Sequence, residues 1–173
     1  MPITIIATVD PARSRVDART EHAHEISMDA DPPEGDDAAA GPKEALLAAL
    51  AGCTSMDVAS ILRKKRQLAD GYEIEVSGET ADTHPRVFTT ISVEHRVTGD
   101  VEAEALRRSI ELSATRYCPV NAMLSAVVTI EHRYRLMASD GTTQAALVAV
   151  TGPSGARVLE GRSAPGHDAL RSS

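Results

Sequence analysis

Aromatic side chains are nearly missing from this sequence. Among 173 residues there are no tryptophans, one phenylalanine and three tyrosines. Proteins that grip single strands of nucleic acid stack bases on aromatic rings, so the composition speaks against that class. Positive charge is also short. Lys and Arg number 18 against 25 Asp and Glu, a formal net charge of -7, and such a surplus repels a phosphate backbone. No basic residue precedes the short apolar run of MPITIIATVDPARSR, so the start does not resemble a signal peptide. Arg63 closes the longest apolar stretch, which we expect to fall short of a membrane span. These absences lead us to expect a cytoplasmic protein with neither nucleic acid nor membrane as partner. Cysteine is sparse too. Cys53 and Cys118 form no C-x-x-C motif, and in a reducing compartment both rest as thiols. There is no phosphate-binding glycine loop, no Ser-His-Asp pattern and no tandem repeat.

The aliphatic content that remains is enough for one ordinary domain. Residues 2–9 alternate weakly and predict an edge strand, and 12–29 predict one or two short strands. DADPPEGDDAAAG, residues 29–41, is dense in Asp, Pro and Gly and reads as a loop. A helix over about 42–67 follows. Gly41 can cap it and Pro42 suits its first position. Glu44 favours the positive end, and the run Arg63-Lys64-Lys65-Arg66 favours the negative end. That run reads as a solvated helix end rather than a nucleic-acid patch. Residues 45–51, ALLAALA, are apolar on every side of the helix. Such a helix is buried all round, and one small domain cannot surround it, which hints at a second copy of the chain.

Period-two alternation predicts strands over 72–78, 87–97 and 128–136. His95 shares the parity of Val93 and Val97, and His132 that of Ile130 and Tyr134. A helix over 102–117 and a short one over 119–126, opened by Pro119, lie between the last two strands. The order predicts an α+β domain over 1–137, with helices packed on antiparallel sheets. Residues 138–173 read as a low-complexity, disordered tail, with AALVAV (145–150) as a possible extra strand.

The chemistry turns on Cys53. A thiol attacks only as thiolate, and Cys53 lies about three turns inside the helix, beyond reach of the helix-end charge. A cation must come from elsewhere. Arg13, Arg15 and Arg19 share one strand parity, and Arg116 stands two residues before Cys118. Gly52 costs its helix roughly 1 kcal/mol relative to Ala. The usual return is close approach by another segment, and placing the Cys118 helix there would bring the sulfurs together. The plain alternative is a pair of inert core thiols, because free cysteine is among the most buried residue types. His22 and His24 have the spacing of one strand face, but two ligands are not a metal site.

Three segments carry a resemblance. GPKEALLAALAGCTSMDVASILRKKRQ (41–67), HPRVFTTISVEHRVTG (84–99) and SIELSATRYCPVNAML (109–124) together resemble the OsmC/Ohr family, nearest its general OsmC-like branch. The resemblance covers about residues 15–137. It implies an intertwined homodimer with long central helices wrapped by antiparallel sheets. It also implies a peroxiredoxin-type thiol peroxidase without metal, haem or flavin, whose substrate is an organic hydroperoxide and whose reductant is a dithiol, with the lipoyl type as one candidate. By the resemblance Cys53 corresponds to the peroxidatic cysteine and Cys118 to the resolving one. The thiolate-stabilising arginine comes from the N-terminal strands, so Arg19 or Arg15 is implied. The Ohr branch has a glutamate directly after the helix-opening proline, to orient that arginine. Here Lys43 stands there, and Glu44 is one residue on, rotated about 100° around the axis. Asp57, one turn after Cys53 and on its face, can hold the arginine instead or join a local polar cluster. The Lys43 departure keeps a second reading open, a redox-sensing or hydrophobic-ligand-binding dimer of the same fold.

Overall fold

The computed structural model describes residues 2–159. The chain divides into a unit through Ala48 and a unit from Ala49 onward.

The first unit is built on an antiparallel three-stranded sheet in the order β1 (Ile5–Asp10), β2 (Arg15–Thr20), β3 (Glu25–Met28). The loop at 29–41 follows as expected, organised by buried Asp29, whose carboxylate accepts the amides of Ala30 and Ala38. Gly35 is required there: a Cβ would lie 2.2 Å from the Ala30 carbonyl oxygen. Glu44 then reaches back to accept the Gly41 amide at 2.8 Å, a capping-box contact at the start of helix α1 (Pro42–Lys64).

The second unit begins inside α1. The helix ends as Gln67 N–H bonds Leu62 C=O and Arg66 N–H bonds Arg63 C=O, with Arg66 at φ 60°. This is a Schellman closure with arginine where glycine is usual. Of the helix, Leu50, Thr54, Val58 and Leu62 are buried, a single ridge spaced by four. One expectation fails here. Between Ala45 and Leu62 only Asp57 is ionised, so α1 is long and apolar enough to cross a membrane, with a mean hydropathy of 1.7, and 22% of that window is buried.

The five-stranded sheet runs β4 (Gly71–Thr80), β5 (Phe88–Thr98), β6 (Thr129–Met137), β7 (Thr143–Gly152), β8 (Gly155–Val158) in that order. Antiparallel pairing was expected throughout, but β5 and β6 are parallel. A parallel neighbour needs a long crossover. It is supplied by α2 (Ala103–Leu112), a π-helical turn (Ser113–Tyr117) and α3 (Pro119–Leu124). The fold is therefore α+β with one antiparallel and one mixed sheet. The expected domain edge at 137 also fails. β7 and β8 continue the sheet through Val158, with Ala146, Val148, Ala149 and Thr151 buried. The rest of the expected tail, 160–173, lies outside the described residues. The core gathers Val58 and Leu62 of α1, Leu106 and Ile110 of α2, and Val97, Tyr134, Leu136 and Val148 of the sheet.

Candidate active site

Two sulfur atoms form the centre of the second unit's polar interior. Cys53 Sγ lies 2.7 Å from Cys118 Sγ, and both cysteines are free thiols. That exceeds the roughly 2.05 Å of a disulfide bond, yet it is close enough for one to form with small rotations. The π turn sets this meeting. Its wider loop closes with Cys118 N–H on Ser113 C=O at 3.0 Å, and Cys118 becomes the cap of α3. The Cys118 sulfur accepts the Asn121 amide at 3.3 Å. Cys118 is 2% exposed, whereas Cys53 is half-buried. Burial pushes the Cys118 thiol up to about 12, with its hydrogen bond to Cys53 and the charges of Cys53 and Asp57 acting the same way. The Asn121 amide opposes them. A pocket of about 220 Å³ borders Cys118, walled by Arg116, Ala122 and the β7–β8 hairpin.

Asp57 joins the sulfurs. One carboxylate oxygen and both Sγ atoms lie within 4.8 Å of one another. Ser113 Oγ donates to Asp57 Oδ2 at 3.0 Å and lies 3.0 Å from Thr54 Oγ1. Asp57 is thus tied into a polar cluster between α1 and the π turn, one of the two roles expected of it. The sequence places Ser113 on one helix face with Leu106 and Ile110 but gives it no role in the site; the structure puts it at the start of the π turn.

The other expected residues stand elsewhere. Arg15 pairs with Asp17 and Arg19 with Glu25, both exposed pairs on the sheet of the first unit. Glu44 is engaged as a helix cap. Arg116 lies over the Tyr117 ring at 5.6 Å. Gly52 corrects an expectation: a Cβ there would meet nothing within 4 Å, so no segment of the described chain closes on it. The sulfurs meet through the π turn instead.

A second polar cluster reaches the site from the sheet. Asn121 Nδ2 donates to Ala114 C=O at 2.7 Å, which leaves Oδ1 to face His132 Nε2 at 2.9 Å. That fixes His132 with its proton on Nε2. His132 stacks on His95 at 6.4 Å between centroids, and His95 Nδ1 lies 2.6 Å from the Tyr72 hydroxyl. Both histidines are fully buried. His95 Nε2 and His132 Nδ1 have no hydrogen-bond partner among the described residues. Burial holds both rings neutral, pulling His95 down to about 3 and His132 to about 4.

Comparison with known proteins follows the same lines. The family model described as OsmC-like protein matches residues 35–133, from the loop before α1 into β6. Protein YhfA of Escherichia coli strain K12 is 39% identical over 117 residues, 67% of this chain and 85% of YhfA. A solved hypothetical protein from Aquifex aeolicus VF5 shares the fold with a TM-score of 0.71 at 24% identity, covering 80% of this chain and 98% of that one. The organic hydroperoxide resistance protein OhrB of Bacillus subtilis shares it with a TM-score of 0.53 at 15% identity, covering 78% and 98%. The segment that holds both cysteines, Asp57, Asn121 and His132 lies inside the matched stretch, and this chain belongs to the OsmC-like protein family.

Proposed function

We propose that the chain is a thiol-dependent peroxidase that reduces organic hydroperoxides. The approach of Cys53 and Cys118 to 2.7 Å carries this reading. Cys53 is the more accessible sulfur and takes the peroxidatic role. Its thiolate attacks the distal oxygen of ROOH, the O–O bond breaks, and with one proton taken up the products are ROH and Cys53 sulfenic acid. The Cys118 sulfur then attacks the sulfenic sulfur. A disulfide forms, and the sulfenic hydroxyl leaves as water with the thiol proton. One of the influences that keep Cys118 protonated, the charge of Cys53, vanishes once Cys53 is a neutral sulfenic acid. Oxidation of the first thiol thereby readies the second. An external dithiol reduces the disulfide and is itself oxidised.

The thiolate of Cys53 needs a cation, and Arg19 or Arg15 is the proposed source. Their present ion pairs are exposed, and exposed pairs contribute only about 0–1 kcal/mol, so either arginine exchanges partners at little cost. The chain acts as a homodimer, with a second copy covering the apolar sides of α1. A dithiol cycle of this kind belongs in the reducing cytoplasm. The fold it shares with a protein named for organic hydroperoxide resistance supports the substrate class.

One observation favours a second reading. Asp57 sits beside the sulfurs with Ser113, not an arginine, as its hydrogen-bond donor. A bare carboxylate there opposes thiolate formation, which suits a slow redox sensor or a hydrophobic-ligand carrier with the same dimer. Mixing reduced protein with cumene hydroperoxide and a dithiol separates the two. Cys53-dependent peroxide loss over many turnovers is expected; a stoichiometric, slow reaction would transfer the assignment to the sensor.

A further inference from the structure

The site that holds the two thiols is also arranged as a set of metal donors. Cys53 and Asp57 are one turn apart on α1 and present Sγ and a carboxylate oxygen on one helix face. Cys118 Sγ approaches from the cap of α3. The three donor atoms lie within 4.8 Å of one another, and they belong to residues that are half-buried or buried. Each is held in place by a neighbour. Ser113 Oγ donates to Asp57 Oδ2 and leaves Oδ1 open, and Asn121 N–H fixes the Cys118 sulfur. Hydrogen bonds made to the donors themselves orient metal ligands.

We propose that the reduced form of this protein binds one borderline-soft divalent cation, of the Zn²⁺ class, through Cys53 Sγ, Cys118 Sγ and an Asp57 oxygen. Two thiolates and a carboxylate select Zn²⁺, Co²⁺ or Cd²⁺ over Mg²⁺ and Ca²⁺, which prefer oxygen alone. Tetrahedral coordination at Zn–S of about 2.3 Å needs the sulfurs roughly 3.8 Å apart. They must therefore open from 2.7 Å by side-chain rotation. Binding displaces the two thiol protons to solvent, and the fourth position is left to water. No electron is transferred. Oxidation of the pair to a disulfide removes both sulfur donors and releases the ion, so metal occupancy and the disulfide exclude each other.

The inference stands on donor geometry and not on peroxide chemistry, so the test omits peroxide. Reduced protein, handled anaerobically, is titrated with Co²⁺ and, in competition with a chromophoric chelator, with Zn²⁺. The expected result is one equivalent bound with sulfur-to-cobalt charge-transfer absorption. Cys53→Ser and Cys118→Ser should each abolish that absorption. Asp57→Asn should weaken binding by about 10-fold or more, the scale of losing a tuned donor. Wild-type protein oxidised to the disulfide with diamide should bind nothing, an arm that needs no variant to fold. His22 and His24, with rings 6.5 Å apart, and His95 and His132, with rings 6.4 Å apart, are paired donors elsewhere; binding that survives Cys53→Ser would lie outside the sulfur site and overturn the proposal. Unchanged affinity in Asp57→Asn, or binding by the disulfide form, would overturn it as well.

Discussion

The sulfur cluster and the histidine cluster meet at Asn121 and are opposite in kind. The histidine cluster is sealed: His95 and His132 are fully buried, yet each keeps a ring nitrogen without a partner among the described residues. The sulfur cluster is the reverse. Ser113, Asp57, Thr54 and both sulfurs are all engaged, yet Cys53 and Asp57 are only half-buried and Gly52 beside them faces open space. Enclosure without full hydrogen bonding suits groups kept neutral and fixed. Hydrogen bonding with partial enclosure suits groups that must meet a reactant. The two clusters share one backbone segment, so the sheet's buried polar layer sets the position of the exposed chemistry.

The sharpest way to break this comparison is to silence one sulfur. Cys118→Ser should turn a multiple-turnover reaction into one that consumes a single equivalent of hydroperoxide per chain and stops, with Cys53 trapped as sulfenic acid and detectable by a sulfenic-selective probe. Sustained turnover in that variant would show that the pair does not work as a pair.

Acid attacks the other cluster. The rings are held neutral when folded, at about 3 for His95 and about 4 for His132, against an ordinary value near 6.5 in the unfolded chain. Their contribution is therefore fully present above about pH 6.5. Below it the unfolded chain takes up protons that the folded chain refuses, and stability falls through both rings until about pH 4 and through His95 alone until about pH 3. With both rings counted, the slope approaches about 2.7 kcal/mol per pH unit inside that window. Denaturant midpoints measured from pH 7 to 4.5 check it. In His95→Phe the slope should drop by about half; an unchanged slope would mean that other groups govern acid stability.

Asn121 is the test of the junction. Asn121→Ala removes the partners of His132 Nε2 and the Ala114 carbonyl, both inside the protein. Each orphaned group costs about 1–3 kcal/mol, so a loss of roughly 2–6 kcal/mol is expected. The backbone amide that holds Cys118 remains. Stability should thus fall further than the rate of the first, sulfenic-forming step, a division read by chemical denaturation and single-turnover kinetics on one preparation.

Much of this arrangement was legible beforehand, and the reasons differ by element. α1 announced itself because Gly41, Pro42, Glu44 and the basic end agree, and the strands because one parity of β5 and β6 is buried. The parallel pairing of those strands was hidden in alternation, which carries no direction. The length of the helical crossover was the available clue. The β7–β8 hairpin was legible in part: AALVAV (145–150) reads as an extra strand and lies within β7, but small residues suffice where a strand packs under α2, so Ala146 and Ala149 are buried although the segment around them looks like tail. Of the site, Asp57 was visible from its spacing to Cys53. The roles of Ser113 and Asn121 were not, because the first opens and the second braces a π turn that no local pattern marks. His95 and His132 gave a usable signal, polar rings at apolar parity.

Gly52 offers the smallest effect and separates two states of the same helix. In the chain alone a methyl group there meets nothing within 4 Å. Replacing an interior glycine by alanine raises helix stability by about 1 kcal/mol. The open side of the sulfur cluster would then simply gain a methyl group. If a second copy lies across α1 at this point, the same methyl group enters a packed contact, and overpacking costs about 1–3 kcal/mol. Gly52→Ala should therefore weaken the dimer in sedimentation equilibrium while raising the intrinsic helix stability of the monomer. Because Cys53 is the adjacent residue, the loss of dimer should also slow its reaction. A variant that is more stable at every protein concentration would mean that the open side of α1 stays open in solution, and that the half-burial of Cys53 is its working state.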